Sequence, residues 1–337
     1  MTALIGFCLF ILSTSCALTW FIRRYALITN LLDVPNHRSS HVVPTPRGGG
    51  VAFVFCFVLV VLSLALLKVI SVTIFLIFAG AGAFVAALGF IDDHSHIPAK
   101  WRLAGHFAAC VVALYLFGGT PDLGWIVPVG LMSNILAVFY LAWLLNLYNF
   151  MDGIDGIAAI EAITVLLGGA LLYFLHGDTV AMLLPIALAF SVGGFLIWNF
   201  PPAKIFMGDA GSGFLGFALG ALSIQAATIN ASFFWSWIIL LAVFITDASI
   251  TLLCRAKAGK RLYDAHCSHA YQHACRHYGS HQVVTLTVLA INLFWLLPLA
   301  LAVGNNWLGC FTGLFIAYTP IVTLAFLFGA GREIKVS

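Results

Sequence analysis

The chain has 337 residues, of which 62% are hydrophobic and only 8% are charged, and its mean hydropathy is +1.07. Because a soluble domain carries roughly 25% charged residues, this composition excludes a soluble globular protein. The net charge of +3 is small and no basic tail is present, which argues against a nucleic-acid partner.

Long, continuous apolar runs occur along the whole chain. Runs of about 20 apolar residues are typical of helices that cross a bilayer, whereas the strands of a membrane barrel alternate apolar and polar residues. We therefore predict an all-α polytopic membrane protein, organised as one integral membrane domain over residues 1–337. Eleven spans are predicted, with the approximate bounds 3–22, 49–67, 72–91, 103–119, 128–148, 157–175, 181–199, 211–229, 232–253, 283–303 and 306–329.

The basic residues predict the orientation of these spans. No basic segment precedes the first run, so we expect a retained helix rather than a signal peptide. If loop 23–48 is cytoplasmic and the spans alternate, every Lys and Arg except Lys68 falls on the cytoplasmic side. This bias is typical of cytoplasmic loops. We therefore expect a periplasmic N-terminus and a cytoplasmic C-terminus.

Five polar segments share the cytoplasmic side in this topology, which predicts one active site at that face of the membrane. They are DVPNHRSSHVVPTPRGGG (33–50), IDDHSHIPAKWR (91–102), NLYNFMDGIDG (146–156), NFPPAKIFMGDAGSGFLG (199–216) and CRAKAGKRLYDAHCSHAYQHACRHYGSH (254–281).

Asp92 and Asp93 directly follow an apolar run. Adjacent carboxylates raise each other's pKa unless a cation lies close, and Lys100 or a metal ion would supply that positive charge. A solvated helix end with ordinary interfacial charges explains the pair equally well, so the pair alone does not establish a functional site.

Asn146, Asn149, Asp152 and Asp155 recur every three residues. On one continuous helix this spacing keeps the side chains near one face. Four short oxygen-bearing side chains suit a hard cation such as Mg²⁺, or the polar edge of a base. The alternative is a polar helix end, although a solvated end would favour longer Lys and Glu side chains.

The stretch FMGDAGSGFLG places Asp209 among glycines at the start of a predicted span. A helix N-terminus offers free N–H groups and a positive dipole end, which suit a phosphate. Asp209 would hold Mg²⁺ against that phosphate, and Phe206 would offer an aromatic face to a base. Helix packing through small residues explains the later glycines, but not Asp209.

The last loop is basic and rich in histidine. His269, His273, His277 and His281 recur every four residues beside two cysteines, which raises a zinc site as one interpretation. The cysteines lack the usual pair spacing, so we favour phosphate contact by His266 and His269. Two acids, Glu161 and Asp247, lie inside predicted spans, where each is either a functional group or a structural partner for another helix.

Over residues 30–281 these segments, in this order, resemble the polyprenyl-phosphate N-acetylhexosamine-1-phosphate transferase family. DVPNHRSSHVVPTPRGGG and AHCSHAYQ look most like the branch that begins lipopolysaccharide O-antigen with N-acetylfucosamine or a related deoxy sugar. The resemblance implies a multi-pass enzyme of the bacterial inner membrane that transfers sugar-1-phosphate from a UDP-N-acetyl sugar to undecaprenyl phosphate and releases UMP. UDP-N-acetylglucosamine is the second candidate donor. Family members are often homodimers, which no motif here shows.

The resemblance also implies roles for individual residues. It gives Asp209 as the principal ligand of Mg²⁺, for which Mn²⁺ is a substitute, and Asn149 as the second ligand. The residues expected to bind substrate are Arg47, Asn146, Asp152, Asp155 and Phe206, with Asp155 reading uracil and Phe206 stacking on it. The residues expected to act in catalysis are Asp92, Asp93, Lys100, His266 and His269.

Two other functional classes explain the sequence less well than a transferase does. A transporter of sugar nucleotides or lipid-linked sugars would place its polar site near the membrane midplane and would often show internal repeats. Here the acids gather at one face and no repeat is evident. A non-catalytic scaffold gives no reason for Asp92, Asp155 and Asp209 to occur together.

Overall fold

A computed structural model describes residues 2–35, 41, 43–95, 97–123, 129–260 and 266–332. Within them the chain forms fifteen α-helices, two π-helical turns and one pair of short strands. The helices are α1 Thr2–Ile28, α2 Gly50–Leu66, α3 Val72–Phe75, α4 Ala83–Ser95, α5 Ala99–Leu116, α6 Leu131–Met151, α7 Ile157–Leu175, α8 Leu183–Asn199, α9 Asp209–Ile229, α10 Ala231–Leu240, α11 Ala242–Lys257, α12 Ala270–Tyr278, α13 His281–Ile291, α14 Leu297–Gly304 and α15 Cys310–Leu327. Strands β1 (Leu32–Asp33) and β2 (Thr45–Pro46) pair antiparallel.

Some sequence predictions fall outside the described residues. The polar segments 33–50, 91–102 and 254–281 each contain such residues, and three of the basic residues used for orientation, Arg38, Arg261 and Lys335, lie among them.

Each of the eleven predicted spans coincides with one or more helices. Seven stretches of the described chain are long and apolar enough to cross a membrane, and they are Leu4–Ile28, Val72–Ser95, Leu131–Met151, Ile157–Leu175, Asp209–Ile229, His281–Gly304 and Cys310–Leu327. The bent pair α10 and α11, with 68° between its two parts, is an eighth if it forms one span, and α2 and α8 are apolar but shorter. The all-α, multi-pass architecture is therefore confirmed. Length and hydropathy support seven or eight spans, and the total of eleven and the orientation stay predictions.

The outer surface of the bundle is apolar. Tyr115 is 83% exposed, Phe294 80% and Phe315 73%. A soluble protein rarely exposes such side chains together. We therefore treat this surface as the one that faces lipid.

Helix α9 is almost entirely buried and is packed between α4 and α6. Gly89 of α4 lies directly against the backbone of Asp209, where a Cβ atom would collide with the carbonyl group. Gly216 of α9 lies equally close to the backbone of Leu144 and Leu145 in α6. Because glycine has no side chain, the helices approach closely at both points. The C-terminal ends of α4 and α6 thereby meet the N-terminus of α9.

The π-helical turns, Leu76–Gly82 and Asn292–Leu296, interrupt two of the membrane-spanning stretches. In the second turn, the buried Asn292 donates hydrogen bonds to Glu161 Oε2 at 2.6 Å and to Thr164 Oγ1 at 2.7 Å. Glu161 is therefore a structural partner between α7 and the α13–α14 stretch.

Candidate active site

The acidic pair at the end of α4 is neutralised by two arginines from different parts of the chain. Asp93 Oδ1 lies 2.8 Å from Arg47 Nη2. Asp92 forms an ion pair with Arg102 Nη1 and accepts the Ile97 N–H at 2.6 Å. Both carboxylates are buried, so these partners offset the cost of removing two negative charges from water.

Lys100 does not take part in this arrangement. Its side chain is exposed, and its Nζ lies 5.7 Å from the centre of the Trp101 ring. Residues two apart on a helix point in different directions, so α5 can direct Arg102 at the acids only by turning Lys100 away. The expectation that Lys100 is the cation beside Asp92 and Asp93 is therefore wrong.

Asp209 begins α9 and touches the other predicted metal ligand. Its Oδ1 accepts the Asn149 Nδ2–H at 2.9 Å, and its Oδ2 lies 3.2 Å from Arg102 Nη1. Asn149 also donates to Ser212 Oγ at 3.0 Å. The structure thus brings Asp209 and Asn149 together, with Arg102 shared between Asp92 and Asp209.

The N-terminus of α9 is not open to a phosphate in this arrangement. The Asp93 carboxylate accepts the Asp209 N–H at 3.1 Å, and the N–H groups of Gly211 and Ser212 bond to the Gly208 carbonyl, each at 3.1 Å. The expectation of free amides at this terminus is corrected, because a carboxylate from α4 occupies the position predicted for a ligand. Such a carboxylate is favoured there by the helix dipole.

The polar stripe from Asn146 to Asp155 is not on one helix. Helix α6 ends at Met151, and Asp152 and Asp155 lie in the loop before α7. Gly156, with φ at +75°, adopts the left-handed conformation at the start of α7, which glycine tolerates best. The prediction of one continuous helical face is therefore wrong. The loop nevertheless returns both acids to the same end of the bundle.

A cavity of about 350 Å³ opens where these elements meet. It is lined by Asp33, His41, Arg47, Asp93, Asn149, Asp152, Gly153, Ile154, Asp155, Asn199, Phe206, Met207, Gly208, Asp209, His266 and Gln272. Most of the predicted site residues are in this set. Asn146 instead lines a small adjacent recess with Arg102 and His106, and its Nδ2 donates to the Ala142 carbonyl at 2.6 Å.

Asp152 carries the least compensated charge in the cavity. No hydrogen-bond partner of its carboxylate is present among the described residues. Burial, followed by the nearby carboxylates of Asp209, Asp93 and Asp155, raises its pKa well above the ordinary value. A cation bound in the cavity would remove this penalty.

Asp155 and Phe206 both line the cavity. Asp155 Oδ1 is 3.2 Å from His281 Nδ1, and Oδ2 accepts the Ala203 N–H at 2.9 Å. Phe206 packs edge-on against His41, with 4.9 Å between ring centres. Asp155 is therefore held in place by protein partners, while the ring of Phe206 forms part of the wall.

The two predicted histidines occupy different layers of the last loop. His266 lines the cavity, whereas His269 is only 2% exposed and lies behind it, with 4.9 Å between the two rings. Burial, and then the positive charges of His269 and Arg255, lower the pKa of His266 to about 4. His266 is therefore neutral near pH 7. The expectation that His269 also contacts phosphate is corrected, because it does not reach the cavity.

The histidines do not converge on a zinc site. His269 faces Asp247, His273 Nε2 lies 3.1 Å from the Arg332 carbonyl, and His281 faces Asp155. Within the described ranges no group of three His, Cys, Asp or Glu side chains is arranged to hold a metal ion.

The donor set does fit a magnesium ion that is shared with a substrate. Asp93, Asn149, Asp152 and Asp209 all present oxygen-bearing side chains to the cavity. Proteins usually hold Mg²⁺ through one or two carboxylates, with waters and substrate phosphates completing the shell. A closed set of three protein ligands is therefore not required, and the unpartnered Asp152 shows where negative charge is in excess.

Sequence reasoning missed Arg102, His41, Asp33 and Gln272 as residues of this site. Arg102 lies two residues after Lys100 in the same segment, and only helix geometry decides which of them faces the acids. Asp33 and His41 also line the cavity, and Asp33 belongs to strand β1, which pairs with β2 next to Arg47.

Comparison with known proteins agrees with this geometry. Residues 74–227 match Glycosyl transferase family 4. Over 309 residues the chain is 27% identical to the "Probable undecaprenyl-phosphate N-acetylglucosaminyl 1-phosphate transferase" of Bacillus subtilis, covering 89% of this chain and 85% of the relative. It is 31% identical over 276 residues to the "Decaprenyl-phosphate N-acetylglucosaminephosphotransferase" of Mycolicibacterium smegmatis, covering 72% and 68%. It is 28% identical over 251 residues to a "Phospho-N-acetylmuramoyl-pentapeptide-transferase" of Lactococcus lactis, covering 69% and 74%. The resemblance drawn from the motifs is confirmed, and the chain belongs to Glycosyl transferase family 4, among the polyprenyl-phosphate sugar-phosphate transferases.

Proposed function

We propose that the protein transfers an N-acetylated sugar-1-phosphate from a UDP-sugar to undecaprenyl phosphate and releases UMP, at the cytoplasmic face of a bacterial inner membrane. One observation carries the proposal. Asp93, Asn149, Asp152 and Asp209 surround a single polar cavity at the ends of membrane helices. There a soluble diphosphate and a membrane-bound phosphate can meet, and the volume of about 350 Å³ is in the range of small-molecule sites.

The nucleotide end of the donor is assigned to the side of Phe206, Asp155 and Arg47. Phe206 offers an aromatic face on which a base can stack. Asp155 is held by His281 and the Ala203 N–H, so its side chain is already ordered before a ligand binds. Arg47, paired with Asp93, brings positive charge to the same wall.

The reaction is a substitution at the phosphorus that bears the sugar. An oxygen of the acceptor phosphate forms a bond to that phosphorus, and the bond to the oxygen bridging to UMP breaks, so UMP leaves with its electron pair. The second pKa of a phosphate monoester is near 6, so the acceptor is largely ionised at neutral pH. A strong base in the protein is not required.

Asp92 is better suited to positioning than to proton abstraction. Its two oxygens are occupied by the Ile97 N–H and by Arg102, and it is not among the residues that line the cavity. In this proposal Asp92 holds Arg102 against Asp209. Asp93 accepts the Asp209 N–H at the start of α9 and so holds the end of α4 against the start of α9.

Mg²⁺ is the proposed cofactor, with Mn²⁺ as a substitute, and when bound it would neutralise the diphosphate and stabilise the charge that develops on the leaving UMP. Asp209 and Asn149 are the proposed principal ligands, with Asp152 and Asp93 within the same cavity.

The identity of the sugar is proposed in two forms. The names of two similar proteins contain N-acetylglucosamine, which favours UDP-N-acetylglucosamine as a donor. The motifs around residues 33–50 and 265–272 favour an N-acetylated deoxy sugar and a role at the start of O-antigen synthesis.

The test uses purified protein in detergent with Mg²⁺, undecaprenyl phosphate and a panel containing both donors, and follows UMP release and lipid-linked product. We expect release that requires the lipid and is lost in Asp209→Ala. Folded protein that releases no UMP with any donor of the panel would contradict the proposal, and exchange of sugar nucleotide across vesicles without chemical change would favour a transporter.

A further inference from the structure

Asp247 is a buried acid in α11 that the reaction described above does not use. It is 6% exposed, yet its carboxylate has several partners. Oδ1 accepts the Ala270 N–H at 2.9 Å, and Oδ2 accepts the Tyr271 N–H at 2.8 Å. Oδ1 also lies 3.2 Å from His269 Nδ1. All three of these partners belong to the loop and helix that follow α11, not to another membrane span.

These contacts fix the beginning of α12. The helix starts at Ala270, and its first N–H groups have no partner within the helix. A carboxylate is a favourable partner at that point, because it accepts charge-assisted hydrogen bonds and lies at the positive end of the helix dipole. Asp247 thereby ties a short polar helix to a membrane-embedded one.

The same carboxylate orients His269, and His269 supports His266. A carboxylate that accepts the Nδ1–H of a histidine fixes both its tautomer and its ring orientation. The His269 ring is stacked on the His266 ring at 28°, with 4.9 Å between centres. His266 Nδ1 is 3.1 Å from Ser268 Oγ, which leaves Nε2 as its other polar atom, and His266 lines the cavity.

A second connection runs from α12 to the acidic loop. Tyr271 Oη donates to the Phe150 carbonyl at 3.0 Å, in the last turn of α6. Gly153 leaves room for this hydroxyl, since a Cβ atom there would collide with it. Tyr271, whose N–H is bound by Asp247, thus also supports the backbone between Asn149 and Asp152.

We propose that Asp247 is a positioning residue for the transfer reaction, which acts from within α11 by fixing the start of α12 and, through His269, by holding His266 against the cavity that receives the donor diphosphate. This inference rests on the proposed function, because His266 has a phosphate to contact only if the donor binds there.

The test is a double-mutant cycle on the UMP-release reaction with Asp247→Asn, His269→Gln and the double variant. Loss of the carboxylate partner of a metal-bound histidine typically costs about 10- to 100-fold, and by analogy we expect each single variant to lose about that much in kcat/KM for the UDP-sugar. The KM for undecaprenyl phosphate should change less than about twofold. Because the two residues act through one chain of contacts, the double variant should be no worse than the worse single variant within about twofold.

Thr251→Val is the matched control. Thr251 Oγ1 also donates to Asp247 Oδ1, at 3.1 Å, but this bond lies within α11. We expect it to keep kcat/KM within about twofold of the unmodified protein, because the lost bond does not join α11 to α12 or to the histidines.

The outcomes separate the inference from the proposed function. Unmodified protein that releases no UMP would overturn both. Active protein whose two single losses multiply in the double variant would overturn the inference alone, as would Asp247→Asn with unchanged kinetic constants. If Asp247→Asn does not fold, the cycle of His269→Gln with His266→Gln replaces it. In that cycle, a double variant no worse than the worse single variant supports the chain of contacts. A double variant whose fold-loss in kcat/KM equals the product of the two single losses refutes it.

Discussion

The most direct test of the geometry compares Arg102 with Lys100. Both are basic, and they lie two residues apart in α5. Arg102 bridges Asp92 and Asp209, whereas Lys100 lies over Trp101 at the surface. Arg102→Met removes the charge and keeps most of the apolar stem. The buried Asp92 and the partly exposed Asp209 would then lose their shared cation, and Asp209 would be repelled by Asp92.

The expected size of the effect follows from the distance between the charges. Arg102 Nη1 and Asp209 Oδ2 are 3.2 Å apart, which corresponds to about 5 kcal/mol at an effective dielectric constant of about 20. The Arg102 side chain is 30% exposed, so solvent screens part of this energy. We expect a net cost of about 2–3 kcal/mol, between the values for exposed and buried pairs. If this cost appears in transition-state stabilisation, it corresponds to roughly a 30- to 150-fold loss of kcat/KM.

The assay is UMP release at subsaturating donor, with retention of the folded state checked by thermal denaturation in detergent. Lys100→Met is the control, and we expect it to change kcat/KM by less than about twofold, as surface substitutions usually do. A large loss in Lys100→Met together with near-normal turnover in Arg102→Met would refute the assignment of the neutralising cation.

Three further predictions concern the cation, the excess charge and the helix contact. Removal of divalent cations with EDTA should abolish UMP release, and Asp209→Asn should raise the Mg²⁺ concentration for half-maximal activity by at least about tenfold, as measured by metal titration. Burial and neighbouring carboxylates raise the pKa of Asp152 in the folded state. The metal-free protein should therefore lose stability as the pH rises above about 3.9, the pKa of this group in the unfolded chain, whereas below that pH both states carry the proton. Asp152→Asn removes the titrating group, so in thermal denaturation with EDTA its stability should decline less with rising pH than that of the unmodified protein, and an unchanged pH profile would contradict this prediction. Gly89→Ala should cost about 1–3 kcal/mol of stability and most of the activity, because its Cβ meets the Asp209 backbone. Gly80→Ala, with no atom within 4 Å of its Cβ, should lose neither.

The sequence was sufficient to locate the helices and the chemistry-bearing segments. Apolar runs of about 20 residues, in a chain with only 8% charged residues, leave few alternatives to helices that cross a membrane. Short acids and amides at the ends of such runs cost desolvation free energy unless they bind a partner or a ligand. For this reason Asp93, Asn149, Asp152 and Asp209 could all be predicted as members of one site.

The pairing of charges could not be predicted from spacing. Lys100 and Arg102 are both within reach of Asp92 along the chain, and only the rotation of α5 against α4 and α9 decides which of them faces the acids. The same limit applies to the last loop. The sequence proposed His266 and His269 together, but the packing of α12 on Asp247 places one at the cavity and the other behind it.

The sequence by itself therefore determined the membrane class, the helical fold and the acids that meet at the site, because a helix in lipid is almost wholly apolar and leaves its few short acids conspicuous. Tertiary structure alone decided where α6 ends, that Asp93 occupies the amides of α9, and which cation and which histidine face the cavity. The arrangement of the acids and their cation depends on the close approach of α4, α6 and α9 at Gly89 and Gly216, whereas the position of the histidines depends on the packing of α12 on Asp247. That approach is a property of three helices packed together, and no local pattern in one of them specifies it.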